Sequence, residues 1–540
     1  MLFKNPCDEG VVLAARGGEG ADGARPWVLT ATILGSSLAF VDGTVVNVAL
    51  PALQRGLTAT VADVQWVIEA YALFLSALLL VGGSLGDRFG RRRVYAIGIV
   101  LFAAASGLCG FAGSVRTLIV ARALQGAGAA LVVPGSLAII AASFPAEERG
   151  RAIGTWSGFS AMTTALGPVL GGWLIDHASW RWVFFLNLPI ALAALFLLFW
   201  RVPESREVEA PTHLDWSGAT LITAGLGGIV YGLIESSRRG WQNGGIVTAT
   251  LGGAGCLIAF VVVEARSPAP MLPLSLFRSR RFTGANLLTL GLYGALAIAL
   301  FVLPLDLIQV RGYSATAAGA AMLPLVLILF LLSRWSGGLL DRFGARLPLV
   351  TGPLIAAGGF AMLVRAGVGG SYWATFFPAL VVLGLGMAVT VAPLTTTVMN
   401  AVDVAHAGIA SGVNNAVSRA AGLVALAVMS MPLQHVFNVQ IERRLTDLGL
   451  RAELVAEVQA QRMMLASAAA PSSASPRERV AVQRAIAAAF LSGFRLVALS
   501  AAGLALASAA IAALTIDAQP ERGPSGDPAR TRGTQGGKLP

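Results

Sequence analysis

The chain has 540 residues, of which 56% are hydrophobic and only 12% are charged, and its mean hydropathy is +0.72. A soluble protein usually carries about twice that charged fraction, which argues against a soluble enzyme or binding domain. The net charge of +11 comes from arginines spread over short loops. Nucleic-acid binding is therefore not expected, because no soluble basic domain is present to do it.

Apolar stretches of about 20 residues recur along the chain, and each is long enough to cross a bilayer core of about 30 Å. A backbone exposed to lipid must satisfy its own hydrogen bonds, so the predicted fold class is an all-α integral membrane protein. Fourteen spans are predicted, numbered in chain order: 27–50, 66–85, 94–113, 117–141, 152–175, 182–200, 215–234, 246–264, 284–308, 317–339, 347–366, 373–399, 408–430 and 491–515.

Two short charged stretches repeat. Residues 83–93 read GSLGDRFGRRR and residues 337–346 read GGLLDRFGAR, and each joins two apolar runs. Asp341 follows Asp87 by 254 positions, so the chain contains a diverged duplication. Such duplication predicts a transporter with two six-helix lobes that rock about a central site, and spans 7 and 8 are then an insertion of two helices between the lobes.

This duplication predicts the domain organisation. Residues 433–490 are expected to form a long outside segment with a surface helix and a flexible stretch. The predicted parts are a tail (1–26), an N-terminal lobe (27–200), a linker with two inserted helices (201–283), a C-terminal lobe (284–516) and a disordered tail (517–540).

Arginine is more frequent in the short loops on the side of the membrane that carries the N-terminus than in the short loops on the opposite side. The positive-inside rule then places both termini in the cytoplasm. The arginine-rich, lysine-poor composition is typical of a GC-rich bacterial genome, so we expect a multi-pass protein of a bacterial inner (plasma) membrane.

The repeated hairpins predict a conformational lock. Glycine allows two helices to turn within very few residues, and Asp87 can pair with Arg91 or accept hydrogen bonds from a helix N-terminus. Such a contact can hold one conformation and release it in another. The second hairpin has Ala345 where the first has Arg91, so its lock should be weaker. The predicted lock comprises Asp87, Arg88, Gly90, Arg91, Asp341 and Arg342.

Three charged residues inside the spans are candidates for proton coupling. Asp42 lies well inside span 1, Glu69 lies near the outer end of span 2, and Arg122 lies about one turn into span 4. A buried acid can take up and release protons, and a nearby arginine can tune it. The alternatives are a static contact of Asp42 with Asn47 or a neighbouring helix, a solvated rim position for Glu69, and a structural hydrogen-bond role for Arg122.

Several motifs, in this order and spacing, resemble the major facilitator superfamily, and specifically its fourteen-helix drug:proton antiporter branch. The resemblance covers nearly the whole chain and implies that Asp42 and Arg122 couple proton movement to transport. The motifs are Leu38–Pro51, Trp66–Tyr71, Ala121–Gly128, Leu166–Gly172, Trp180–Pro189 and Ala410–Asn415, besides the two hairpins.

The resemblance also implies an antiporter motif in span 5, comprising Gly167, Pro168, Gly171 and Gly172. The motif is interpreted as a hinge that shapes the cavity and resists leak. The alternative is ordinary packing, because small residues on one face permit close approach of a neighbouring helix. The branch usually has glycine four residues before its Gly-Pro pair, and this chain has Thr163 there.

A substrate cavity between the lobes is expected. Arg419 lies about three turns into span 13, where it can line this cavity or tie helices together. Aromatic side chains in the spans can contact a hydrophobic or cationic ligand, although packing is their more frequent role. The candidate lining residues are Asn47, Tyr71, Gln125, Trp156, Phe159, Asn414, Asn415 and Arg419.

The sequence has no Gly-x4-Gly-Lys-Ser/Thr phosphate loop, so the energy source is expected to be a proton gradient, with no cofactor and no metal. The predicted function is a proton-coupled exporter of hydrophobic or amphipathic compounds, including cationic ones. The alternatives are a proton-coupled metabolite transporter or symporter and a non-transporting membrane sensor. The predicted partners are a small-molecule substrate, protons and the lipid bilayer, and the expected oligomeric state is a monomer.

Overall fold

The computed structural model describes residues 6–205, 215–267, 270, 272–367, 369–402 and 407–517, with side chains from residue 25 onward apart from a few positions. Fourteen of the described helical segments are long and apolar enough to cross a membrane, which confirms the predicted all-α fold and number of spans. The predicted tail 517–540 lies outside the described residues except for Asp517.

Span 6 is built from two consecutive helices, α6 and α7, and span 10 from α11 and α12. The first helix already begins inside the predicted N-terminal tail and continues through span 1. The helices are α1 Pro6–Leu57, α2 Val61–Phe89, α3 Arg91–Gly110, α4 Val115–Ser143, α5 Ala146–His177, α6 Trp182–Phe185, α7 Asn187–Arg201, α8 Trp216–Arg239, α9 Gly244–Arg266, α10 Arg280–Leu305, α11 Ala315–Ala321, α12 Leu323–Gly337, α13 Leu339–Phe343, α14 Arg346–Leu363, α15 Tyr372–Asn400, α16 Ala407–Asp447, α17 Ala452–Ala460 and α18 Pro476–Thr515.

Local sequence explains where several helices begin and turn. The backbone N–H of Asp63 donates to the Thr60 hydroxyl, and the Thr60 backbone N–H donates to the Asp63 carboxylate, which forms a capping box at the start of α2. Gly90 and Gly344 adopt positive φ values of 106° and 71° in the two repeated hairpins. Glycine is favoured at both turns because other residues rarely adopt that conformation.

The helices pack as two lobes with a seam between them. In the N-terminal lobe α2 and α3 pack on α4, and α1 packs on α5; in the C-terminal lobe α10 packs on α16 and α18, and α14 packs on α15 and α18. The inserted helices α8 and α9 pack on each other, and α8 also contacts α2 and α16. The insertion therefore covers the seam where the two lobes meet.

The two ends of the bundle differ. We call the end where α1 begins and α18 ends the terminal face, and the opposite end the far face. The predicted outside segment lies at the far face, where α17 buries Leu454 and Val458 and the following turn buries Leu465. In that turn, the Ser467 hydroxyl lies 3.2 Å from the Gln54 side-chain oxygen of α1. This segment is thus packed onto both lobes.

Candidate functional site

The centre of the N-terminal lobe contains a buried ion pair. Asp42 on α1 is 0% exposed and Arg122 on α4 is 1% exposed, and an Nη1 atom of the arginine donates to Oδ2 of the aspartate. Burial of both charges carries a desolvation cost that only close pairing and further hydrogen bonds can offset. Asp42 therefore faces the protein interior rather than lipid or bulk solvent.

Further polar groups complete this network. Gln125 donates to Asp42 at 2.9 Å and accepts from Arg122 at 2.7 Å, so it bridges the two charges. Asn187, at the start of α7, donates to Asp42 at 3.4 Å and to the Ser106 hydroxyl of α3 at 2.9 Å. The aspartate is thereby held by groups from α4 and α7, and the alternative partner Asn47 instead donates to the Gly43 carbonyl.

Arg122 connects this network to α2. Its Nε donates to the Val67 carbonyl at 3.0 Å, and its guanidinium carbon lies 4.3 Å from the centre of the Tyr71 ring. An arginine over an aromatic face is stabilised by the ring quadrupole. Arg122 thus contacts α1, α2 and α4 together.

A cavity of about 300 Å³ lies beside Arg122, between α1, α2 and α4 of one lobe and α10 and α16 of the other. Of the residues predicted to line a cavity, Asn47, Tyr71 and Arg419 do so. The complete lining is Gly43, Val46, Asn47, Ile68, Tyr71, Ala72, Leu75, Arg122, Tyr293, Leu296, Ala297, Leu300, Ser418, Arg419 and Gly422.

The other predicted lining residues lie elsewhere. Gln125 is inside the ion-pair network, and Trp156 is buried with its indole N–H 3.0 Å from the Ser36 hydroxyl. Phe159 is 44% exposed. Asn414 donates to Asn286 and Thr289 within the C-terminal lobe, and Asn415 donates to the Ser411 carbonyl on its own helix.

Glu69 is fully buried, so it is not a solvated rim residue. It shares the α2 face with Ala62 and Leu73, which pack in an apolar cluster with α8 and α16. Within the described part of the chain, neither of its carboxyl oxygens makes a hydrogen bond of good geometry, although the Gln65 side chain lies beside them. An ionised carboxylate without partners is costly in such surroundings, so Glu69 remains a second candidate proton carrier at the seam.

The predicted antiporter motif lies at two helix contacts. A methyl group at Gly167 or Gly171 would collide with Thr44 or Val45 of α1. A methyl group at Gly172 would come within 2.4 Å of the Ala315 carbonyl oxygen of α11, in the other lobe. A methyl group at Gly319 of α11 would likewise come within 2.1 Å of the Pro168 carbonyl oxygen. Small residues here allow the lobes to meet at the far face.

Polar contacts close the same end. The Asp176 carboxylate at the end of α5 accepts hydrogen bonds from the backbone N–H groups of Ala315 and Thr316, at 3.0 and 2.8 Å. Negative charge at the start of α11 is favourable because the first N–H groups of a helix lack intrahelical partners. Gln309 of the C-terminal lobe donates to Gln54 of the N-terminal lobe at 2.7 Å. The far face is therefore sealed by contacts between the lobes.

The first hairpin contains the predicted ion pair. Arg91 lies 2.9 Å from Asp87 one helical turn away, while Arg88 lies over the Phe89 ring. Glu204, from the linker after α7, accepts a hydrogen bond from the Arg92 backbone N–H at 2.9 Å and so braces the start of α3. In the second hairpin, Arg342 is exposed and the side chain of Asp341 is outside the described part of the structure.

Several residues that complete these sites carry only weak signals in the sequence. Ser106 looks like an ordinary small residue in an apolar run, and Asn187 stands out only as part of a motif. Glu204 lies in the linker after span 6. A polar residue inside a predicted span was an available signal for Ser106 and Asn187, but nothing in the sequence pairs them with Asp42.

Comparisons with known proteins agree on one family. The family model described as Major Facilitator Superfamily matches residues 32–426. A tetracenomycin C resistance and export protein from Streptomyces glaucescens is 33% identical, with 93% of this chain and 94% of that protein covered. A multidrug resistance protein from Mycobacterium tuberculosis is 36% identical over 77% of each chain, and a puromycin resistance protein from Streptomyces alboniger is 36% identical over 79% of this chain and 86% of that protein.

Solved structures show the same fold. A bacterial homologue of the human lysosomal transporter Spinster has a TM-score of 0.65 at 18% identity and covers 91% of this chain and 97% of its own. A xylose transporter from E. coli has a TM-score of 0.55 at 16% identity, with 92% and 97% covered. These identities are too low to carry more than the fold.

Proposed function

Since the chain belongs to the major facilitator superfamily, we propose that it is a proton-coupled exporter of hydrophobic or amphipathic small molecules. The observation that carries this proposal is the buried Asp42–Arg122 pair beside the cavity between the lobes. The resistance and export proteins among its relatives support the direction of transport.

The proposed coupling step is protonation of Asp42. A neutral Asp42 no longer balances Arg122, so the hydrogen bonds that join α1, α4 and α7 lose much of their strength. Arg122 is then free to reorient against Tyr71 and the Val67 carbonyl. Protonation from outside would release the substrate and favour inward opening, while substrate binding inside would favour loss of the proton.

The proposed orientation places the terminal face in the cytoplasm of a bacterium, with the protein in its inner membrane. The arginines at positions 91, 92 and 93 lie at that face, as the positive-inside rule requires. The contacts of Asp176 and Gly172 with α11 then close the outer side. The described conformation is accordingly the one that takes up substrate from the cytoplasm or inner leaflet.

A proton gradient is a sufficient energy source. One proton that crosses about 150 mV releases about 3.5 kcal/mol. This free energy sustains a concentration ratio of a few hundred for a neutral solute. One coupled proton per substrate is enough, and no cofactor is required by the proposal.

The test is substrate-induced proton movement in everted membrane vesicles, with ethidium and fluorescein as probes. Asp42→Asn should abolish probe-induced proton release, because the amide cannot titrate. Glu148→Gln is the control, since this acid lies near the terminal face in an exposed ion pair with Arg25. Full proton release by Asp42→Asn would overturn the coupling assignment, and absence of probe transport by the wild type would contradict export of such compounds.

A further inference from the structure

The charges that line the cavity are both positive. Of the described residues in its wall, only Arg122 and Arg419 are charged. The charge of Arg122 is neutralised by Asp42, which is buried and does not line the cavity. The wall that a substrate meets therefore carries the uncompensated charge of Arg419.

Arg419 has no ion pair or hydrogen bond among the described residues. Two other embedded arginines have partners: Arg311 pairs with Asp306 at 2.7 Å, and Arg495 donates to the Ala366 carbonyl. A guanidinium in a membrane protein is costly without a partner, so such residues normally face water, a counter-ion or a ligand. Arg419 is half-buried and lines the cavity, so a ligand in the cavity can reach its guanidinium.

The other residues of the cavity wall can contact the aromatic rings of a ligand. Tyr71 and Tyr293 contribute rings, and Ile68, Leu296 and Leu300 contribute apolar surface. Among the described residues, the Tyr293 hydroxyl makes no hydrogen bond, and so it is available to a ligand. A guanidinium with nearby rings and hydroxyl groups recognises carboxylates, sulfonates and acidic phenols.

We infer that Arg419 selects amphipathic aromatic compounds that carry a negative charge. This inference rests on the proposed export function and names its substrate class, in place of the cationic compounds included among the expectations from sequence. Export of a monoanion in exchange for a proton would move two charges per cycle in the direction that an inside-negative potential favours. Protonation of Asp42 adds positive charge beside the cavity, and this charge by itself would attract an anion. The proton must therefore release an anionic substrate through the conformational change, and not by electrostatic repulsion.

The test uses the purified full-length protein in nanodiscs and two planar dyes, fluorescein as the anion and ethidium as the cation. The wild type should bind fluorescein more tightly. Arg419→Gln should weaken fluorescein binding about tenfold and change ethidium binding less than twofold, while Arg419→Lys should stay within about threefold of the wild type. Arg419→Glu should reverse the preference between the dyes.

Arg365→Gln is the matched control, because it removes the same charge from an exposed arginine that does not line the cavity. Equal loss of both dyes in Arg419→Gln, or tighter binding of ethidium by the wild type, would overturn the inference. Because binding requires no proton flux, the inference can fail while Asp42-dependent export stands. Charge-selective binding without proton release would instead contradict the proposed export function alone.

Discussion

Two buried ion pairs with similar chemistry lie in the described part of the chain, one in each lobe. Both aspartates, Asp42 and Asp306, are 0% exposed. Both arginines also lie over an aromatic ring, with Arg122 4.3 Å from the Tyr71 centroid and Arg311 4.4 Å from the Phe376 centroid. Burial and pairing alone do not distinguish the two.

The two ion pairs differ in the parts of the structure that their arginines connect. Arg122 pairs with a residue 80 positions away, on another helix, and it also lines the cavity. Arg311 pairs with a residue five positions away, and it also donates to the carbonyls of Gly367 and Gly369 in a neighbouring turn at the far face. The first pair can link a charge change to helix positions beside the substrate, whereas the second fastens one end of a lobe.

Removal of each arginine is the strongest test of this comparison. Arg122→Ala and Arg311→Ala should each destabilise the protein by about 3–5 kcal/mol, because each leaves a buried carboxylate without its partner. Only Arg122→Ala should abolish probe-induced proton release by the folded fraction. The measurements are thermal unfolding in detergent and proton release in vesicles from equal amounts of folded protein. Loss of coupling in the folded Arg311→Ala variant would show that the two pairs are functionally equivalent.

The contact between the lobes at Gly172 gives the next largest expected effect. Gly172→Val should place a side chain against the Ala315 carbonyl and prevent closure of the far face. We expect at least a tenfold loss of transport, with protein levels preserved because the outward-open state relieves the clash. A cysteine introduced near Gln309 should become more reactive toward a membrane-impermeant thiol reagent.

Gly107→Ala is the control for this substitution, because a methyl group at Gly107 meets no atom within 4 Å among those described. An unchanged thiol reactivity in Gly172→Val, together with normal transport, would contradict the role of this contact as a gate.

Gln125 in the N-terminal lobe and Asn414 in the C-terminal lobe allow a third comparison, with a smaller expected effect. Gln125→Leu should cost about 1–3 kcal/mol, because it removes hydrogen bonds to both members of the buried ion pair. Among the described residues, Asn414→Leu removes bonds to Asn286 and Thr289, which are neutral. Gln125→Leu should therefore also shift the pH dependence of transport, whereas Asn414→Leu should leave the pH profile in place. Identical pH profiles for the two variants would contradict a special role for the charged network.

Much of the fold, and part of the candidate site, can be predicted from the sequence. The fourteen spans and the membership of the superfamily were predicted correctly, because apolar length, repeated hairpins and ordered motifs are local signals. The depth of Asp42 and Arg122 within their spans was equally accessible. Their pairing was implied only by the resemblance.

Helix rotation was the information that the sequence lacked. A helix that is apolar on all sides has little amphipathic contrast, so its cavity face cannot be deduced from hydrophobicity. Gln125 and Asn414 were expected in the cavity, but each turns toward polar partners inside its own lobe. Tyr293 lies in the cavity wall, but the sequence does not reveal this position, because one tyrosine in an apolar span resembles a packing residue.

The repeated hairpins provide the smallest expected effect. Asp87 pairs with Arg91, both partly exposed, and an ion pair of this kind contributes about 0–1 kcal/mol. Asp87→Asn should therefore slow transport only a few fold, without a measurable change in unfolding temperature. Asp341→Asn should slow it less, because the second hairpin has Ala345 where the first has Arg91. Equal slowing by both substitutions, measured as initial rates of probe uptake into everted vesicles, would show that the lock does not depend on Arg91.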